Sequence, residues 1–596
     1  MNPFRHLIVH FKKERSLFAM GVAALLTVDF AQQLLPQLLK LAIDELQNAG
    51  PGPAAARAAL AGVLLWAGLQ LAVVALQGAL RWGWRMGFFG MSRKVEYALR
   101  RQLFEKLLTM HPAFFRKLRL GDLLSRAMSD LAAVRESLGF GWMTLIDGVT
   151  MVCFTIVFMV RANALLTAQI LAPMLLIPVL VVTLGRKVRE NQRAAQDLLD
   201  ALSQAATESF SGARVIHAYA RQESEIERFG RACLAYRARS MRLVVVEAVY
   251  WPLLWVLAGS SELLLMHYGG LLLGLPPGKA MSVGGFVMFQ AYLAQITWPV
   301  MALGFSSNSY VKGRVSIGRL NEVYDAEPAV TGPLQAAPEP STRQDTVLSF
   351  INVHGGYDAA PDVLRGVSFT VRPGEWVGLA SRLGGGKTTL LRLAPRLEDA
   401  RLGEVRLWGR DVRAWPLKAL RRRIALVAQE PFLFSETVLE NITFSYDGDP
   451  QDRFAEAVEA ARIADLHEMV AGLPQGYATL LGEKGVNLSG GQKQRLALAR
   501  AIFARPDLLL LDDAFSAVDT ATEERIAPAL RTALPGVAVL MVSHRVSTLR
   551  LCDRVVVLED GRVAADGTPD ELLQQEGYFF EMARREFLAR RVGLET

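Results

Sequence analysis

Cysteine is scarce in this 596-residue chain: Cys153, Cys233 and Cys552 are its three, and they lie far apart. That spacing excludes a disulfide framework and a cysteine metal cluster. The opening MNPFRHLIVHFKKERS is basic but lacks a small-residue cleavage site, so no cleavable signal peptide is expected. No tract interleaves aromatic with basic residues, which removes the usual nucleic-acid signature. The excess of 66 Lys and Arg over 58 Asp and Glu therefore reads as a cytoplasmic-loop bias. Long apolar runs are absent after residue 305, whereas six precede it. A chain of this length is too long for one core, and a hydrophobic content of 51% places part of it in a membrane.

The six runs lie near 16–40, 58–80, 142–160, 165–184, 244–266 and 283–303. Each is close to the ~20 residues that cross a bilayer as a helix. Two connections are long, roughly 81–141 and 185–243, and carry charged helical patterns such as RKVEYALRRQLFEKLL. With these and FKKER placed in the cytoplasm, six spans return the chain to the side where it began. The predicted membrane domain is 1–325. Residues 326–345, AEPAVTGPLQAAPEPSTRQD, are rich in Pro and Ala and read as a linker. From 346 to 596 short β-type runs alternate with helices, which predicts a soluble α/β domain.

Within that domain, ASRLGGGKTTL follows a strand-like EWVGLA and precedes a helical TTLLRL. Strand, glycine turn and helix are the context of a phosphate loop. Gly384, Gly385 and Gly386 allow backbone N–H groups to converge on phosphate oxygens at a helix N-terminus. Lys387 is placed to reach the β- and γ-phosphates, and Thr388 to hold Mg²⁺. The pattern G-x-x-x-x-G-K-[ST] asks for glycine where Ser381 stands. Downstream, LLLLDD is a buried strand ending in acid, with Asp512 in the position of an Mg²⁺-binding carboxylate. Between the two lies LSGGQ, a second anion-binding helix start.

In this order the motifs resemble the ATP-binding-cassette nucleotide-binding domain, and LSGGQ is that family's signature. The resemblance implies further roles. Tyr357 matches the aromatic that stacks on adenine. Thr389 completes the phosphate loop with Ser381, Gly384–Gly386, Lys387 and Thr388. Gln429, in VAQEPFLF, matches the loop glutamine that senses the γ-phosphate and helps hold Mg²⁺. Ser489, Gly490, Gly491 and Gln492 close over ATP held by another cassette, and Asp519 lies in the loop crossing that interface. His544 matches the switch histidine, and Glu483 a loop touching the neighbouring half. The segments GDLLSRAMSDLAAVRESLG and ESFSGARVIHAYARQESEIERF look like cytoplasmic segments of exporters of this family. The resemblance thus covers the whole chain. It implies a half-size exporter of the bacterial cytoplasmic membrane, an all-α six-helix domain ahead of one α/β P-loop cassette, with ATP and Mg²⁺ as cofactors. Two halves make a transporter, and closure is expected to pass through the loops near 120–135 and 208–225. No peptidase-like domain precedes the first span, which disfavours a peptide exporter; fusion of membrane and cassette parts disfavours an importer.

Two residues depart from the pattern. Ser381 replaces a glycine and is expected to strain the loop if that position needs an unusual φ. Asp513 stands where the family carries the catalytic Glu after its aspartate, shorter by roughly 1.5 Å. A weak Asp513 beside an intact LSGGQ resembles the degenerate-site subunit of bacterial heterodimeric multidrug exporters. The expectation is a chain that binds ATP and hydrolyses it poorly, paired with a second half that supplies the Glu. In the spans, Asp29, Asp147 and Glu247 are the conspicuous carboxylates. Asp29 is a candidate either for a cavity accepting cationic amphipaths or for a helix–helix contact. Drug-like export, lipid flipping and ATP-gated conduction remain open at this point.

Overall fold

The computed structural model describes residues 4–591 except 51, 119, 277–279, 334–344, 357–360, 483–484 and 486. They form two compact units, one of Met1–Thr109 with Leu118–Ala326, the other of Met110–Lys117 with Glu327–Thr596. Most of the predicted linker lies outside the described residues.

The first unit is helical. Its helices are α1 (Arg5–Lys13), α2 (Arg15–Gln47), α3 (Pro53–Arg85) and α4 (Met91–Leu108), then, after α5 (Pro112–Lys117) of the second unit, α6 (Leu120–Ser125), α7 (Leu131–Glu136), α8 (Trp142–Ala162), α9 (Ala164–Leu171), α10 (Leu176–Ser211), α11 (Ala213–Ala218), α12 (Gln222–Leu264), α13 (Gly270–Leu273) and α14 (Val283–Tyr324). All six apolar runs fall on helices. Among the described residues, four continuous stretches, Arg15–Gln47, Pro53–Leu108, Leu120–Ala162 and Gln222–Leu273, are long and apolar enough to cross a membrane. The run at 165–184 is broken by a tight turn at Pro173–Leu175, where proline supplies no N–H to the preceding helix.

The two long connections prove to be continuations of the spans. The 43 residues of α12 measure about 65 Å at the helical rise, twice the ~30 Å hydrocarbon core. Its apolar C-terminal part is long enough for the hydrocarbon core, and its charged N-terminal part exceeds that thickness. Segment 120–135, expected as a loop, is helical through α6 and α7. The segment that clusters with the second unit is 110–117, where Arg116 meets Glu398 at 2.9 Å. The second expected loop, around α11, exposes Phe210, Val215 and Tyr219.

The second unit carries ten strands, β1 (Leu348–Gly355), β2 (Leu364–Val371), β3 (Trp376–Ser381), β4 (Leu402–Leu407), β5 (Arg410–Asp411), β6 (Ile424–Val427), β7 (Leu508–Asp512), β8 (Ala538–Val542), β9 (Arg554–Glu559) and β10 (Arg562–Gly567). Its helices are α15 (Lys387–Leu393), α16 (Leu417–Arg422), α17 (Val438–Ile442), α18 (Phe454–Ile463), α19 (His467–Ala471), α20 (Gly490–Phe503), α21 (Thr520–Ala533), α22 (Val546–Leu549), α23 (Pro569–Gln574) and α24 (Tyr578–Arg591). One sheet is antiparallel in the order β2-β1-β4-β5; the other runs β10-β9-β3-β8-β7-β6, parallel except for the edge strand β10.

The apolar runs follow from burial on both faces. In β7, Leu509 and Leu511 enter the helix-side core, while Leu508 and Leu510 enter the core facing the antiparallel sheet. Each such leucine contributes about 1.5–3 kcal/mol. Because β3, β7 and β8 are parallel, their C-terminal ends gather on one edge of the sheet. That edge holds Ser381, Asp512 and the turn after Val542.

Candidate functional site

The phosphate loop leaves β3 at that edge. Gly386, at φ +91°, lies in the left-handed region that favours glycine and caps the start of α15. Ser381 is different: it ends β3 in register with Leu558, is 2% exposed, and is not among the positive-φ residues. The expected backbone strain is therefore absent. Its side chain instead occupies loop space, since a Cβ added to Gly385 would lie 2.5 Å from Ser381 Oγ.

Lys387, 7% exposed, donates from Nζ to the Ser381 carbonyl at 2.8 Å and to Ser381 Oγ at 2.9 Å. Burial pulls its ammonium below the ordinary lysine range, and Asp512 and Asp513 partly restore it. Burial likewise pushes the Asp512 carboxyl up, partly offset by the Thr388 hydroxyl, which donates to Asp512 Oδ1 at 3.3 Å. Thr388 and Asp512 thus form the pair of hard oxygen donors that a small divalent cation requires. Thr389 is buried on the same helix. Gly384 and Gly385 also border a cavity of about 610 Å³ with Arg382, Asp362, Arg365 and Asp560.

Asp513 follows with φ +50°, a conformation that Asp adopts more readily than most side chains. Its N–H donates to Val542 O at 3.0 Å, tying it to β8. Two residues beyond β8, His544 is exposed. Gln429 is exposed on the loop after β6, and its carbonyl accepts from Gln494 Nε2 at 3.4 Å. The signature helix α20 starts with a capping box: Ser489 Oγ accepts from Gln492 N at 3.3 Å, and Gln492 Oε1 from Ser489 N at 2.9 Å. Gly490 is exposed, and Gly491 packs so closely that a Cβ there would lie 2.5 Å from Ala517 O. Asp519 caps α21 by accepting from Thr522 N at 2.9 Å. Tyr357 and Glu483 lie outside the described residues.

Two participants escaped sequence reasoning. Tyr578, at the start of α24, donates its hydroxyl to Ser381 O at 3.0 Å, while Arg382 stacks over its ring at 5.8 Å. Buried Gln494 joins α20 to the loop after Asp513, donating to Ser516 Oγ at 2.9 Å and accepting from Ala517 N at 3.0 Å. The Ser381–Tyr578 pair spans 197 positions and has no local signal.

In the membrane unit, Asp29 is 3% exposed and accepts from the Thr150 hydroxyl of α8, with Asp147 beside it. One turn along, Thr155 Oγ1 donates to Gln33 Oε1 at 3.0 Å, and Tyr292 of α14 donates to Gln33 O at 2.9 Å. This geometry is the helix–helix contact of the two alternatives for Asp29. Glu247 is half-buried on α12.

Residues 18–300 match the family described as the ABC transporter transmembrane region, and 364–516 that described as ABC transporter. The chain is 34% identical to "Probable multidrug resistance ABC transporter ATP-binding/permease protein YheI" of Bacillus subtilis, over 97% of this chain and 96% of that protein. It is 31% identical to an "ATP-dependent lipid A-core flippase" of Aromatoleum aromaticum, over 98% and 96%. A solved structure of a bacterial Atm1-family ABC exporter with ATP bound superposes with a TM-score of 0.78 at 25% identity, covering 96% of this chain and 98% of the other. The protein is an ATPase coupled to transport, seated in the bacterial cytoplasmic membrane. It belongs to the ABC transporters, as a half-size exporter with a helical membrane domain fused to one α/β nucleotide-binding domain.

Proposed function

We propose that this chain is the catalytically weak half of a two-chain drug or amphiphile exporter. The observation that carries this is Asp513 directly after β7, in a domain whose signature helix is fully formed. A displacement of about 1 Å in a catalytic group costs on the order of 10²-fold in rate. The carboxylate of Asp513 falls short of a glutamate by a little more than that.

In this reading Gly384, Gly385, Gly386 and Lys387 hold the phosphates, Tyr357 stacks on adenine, and Ser381 and Thr389 complete the loop. Thr388, Asp512 and Gln429 would hold Mg²⁺, which when bound neutralises phosphate charge. Asp513 and His544 orient the attacking water, inefficiently here. Ser489, Gly490, Gly491, Gln492 and Asp519 cap ATP held by the second half, where hydrolysis proceeds. Two ATP molecules clamp the cassettes, the six spans of 1–325 turn the cavity outward, and hydrolysis at the competent site resets it.

The multidrug name of one relative supports a drug-like substrate. The lipid A-core flippases support a second reading, lipid translocation. The deciding experiment compares ATPase of the purified full-length chain alone, with a related half carrying Glu after its aspartate, and as Asp513→Glu. Slow turnover alone, raised at least tenfold by either change, is expected. Brisk turnover of the single chain, indifferent to both, rejects the asymmetric model. Uptake of a cationic dye against a gradient in inverted vesicles, set beside lipid-flip assays, separates pump from flippase. Dye movement that never exceeds its gradient would indicate an ATP-gated channel.

A further inference from the structure

At the cytoplasmic end of the membrane unit lies a cavity of about 460 Å³, walled by Phe4, Ile8, Phe11, Phe18, Trp142 and Tyr310 among others. The walls come from α1 and Phe4 before it, from α2, α7, α8 and α14, and from Ser137 and Leu138. Phe18 meets Phe11 at 5.2 Å and Trp142 at 6.5 Å between ring centroids, and Phe4 meets Tyr310 at 6.3 Å. Such a volume, almost wholly apolar, falls in the range of small-ligand sites. Trp and Tyr are the residues expected at the level of lipid headgroups.

Around the cavity cations outnumber carboxylates, which are Glu14, paired with Lys94, and the exposed Glu136 beside Ser137. Lys12 follows Phe11 and lies one turn from Ile8; Lys13 and Arg15 come next; Lys312 and Arg314 flank Gly313, which itself lines the cavity. All five are exposed, and none has an ion-pair partner among the described residues. Nearby cations are committed elsewhere: Arg5 to Asp325, and Lys94 to Glu14 at 3.1 Å. An apolar slot beneath unpaired cations, at the membrane's cytoplasmic face, is complementary to one amphipath of opposite charge. We propose that it holds an anionic phospholipid of the cytoplasmic leaflet, one acyl chain among the aromatic rings and the phosphate against Lys12, Lys13 and Arg15. The site does not depend on the asymmetry proposed above.

The test uses the full-length chain in nanodiscs of phosphatidylcholine with phosphatidylglycerol whose acyl chain bears a diazirine. After illumination, labelled peptides are mapped by mass spectrometry. Labelling at 4–18, 134–142 and 310–313 is expected to exceed that on the exposed face of α3. Ile8→Trp fills the cavity and is expected to cut it at least fivefold, leaving α3 unchanged. Lysine or arginine near an anionic surface contributes about fivefold each, so Lys12→Glu with Lys13→Glu is expected to cut phosphatidylglycerol labelling over tenfold but not that of a diazirine phosphatidylcholine. An unchanged melting profile of the full-length chain and unchanged labelling on α3 verify that both variants fold. Labelling no higher than on α3, or indifferent to Ile8→Trp, overturns the site. Equal labelling by the two lipids, or displacement by a soluble cationic drug with no effect of charge reversal, overturns the anionic-lipid assignment.

Discussion

Lys387 Nζ is anchored to the hydroxyl of Ser381 at 2.9 Å as well as to its carbonyl at 2.8 Å. Glycine at this position would offer only the carbonyl. The departure from the phosphate-loop pattern therefore acts through a side-chain bond, with the backbone of β3 left in its ordinary extended form. Lys387 must leave this hydroxyl to reach phosphate. A net hydrogen bond of about 0.5–1.5 kcal/mol competes with ATP. Ser381→Gly is expected to tighten ATP binding about 2–10-fold, read by titration with a fluorescent nucleotide. An unchanged Kd would show that the hydroxyl does not compete.

Tyr578 holds the other side of the same residue. Tyr578→Phe removes its hydroxyl from Ser381 O and should lower cassette stability by about 1 kcal/mol. The melting temperature of the full chain, with and without ATP, reports it. If α24 steadies the loop, the loss is larger without nucleotide than with it.

Asp519 caps α21, and substitutions can separate that cap from the interface role proposed for it. Asparagine caps helices as well as aspartate does, so Asp519→Asn should keep the melting temperature and lower ATPase of the assembled transporter. Asp519→Ala should lower both. Hydrogen bonds from Thr522 hold the Asp519 carboxyl below its usual range. A depressed carboxylate stabilises the fold above its unfolded pKa of about 4 and loses that contribution as pH falls through the folded value. The difference in melting temperature between wild type and Asp519→Ala should persist from neutral pH to about 4 and close below it.

Asp29 accepts a hydrogen bond across a helix interface, a role that asparagine can fill. Asp29→Asn should leave cationic-dye efflux near wild type, whereas Asp29→Ala removes the acceptor across the interface, leaves the Thr150 hydroxyl its bond to Ile146 O at 2.9 Å, and should cost about 0.5–1.5 kcal/mol of stability. Loss of efflux in Asp29→Asn with unchanged melting temperature would restore the cavity role.

Much of this was legible from residue order. The apolar runs mark helices because a bilayer accepts backbone only when its polar groups are bonded internally. The phosphate loop, LLLLDD and LSGGQ announce themselves because anion binding and strand burial impose local patterns. The run at 165–184 shows the limit: composition predicts one span, and a proline turn divides the helix.

Sequence alone determined the two-domain plan, the order of the nucleotide motifs and the identity of the two departures, since each is written in contiguous residues. Tertiary structure decided what the departures touch. Ser381 meets Lys387 and, 197 positions away, Tyr578, and Asp513 sits in a left-handed turn bonded to β8. Asp29 joined α8 in the same way. Hydrogen bonds between distant strands and helices depend on how the chain packs, and no local pattern of residue types encodes them.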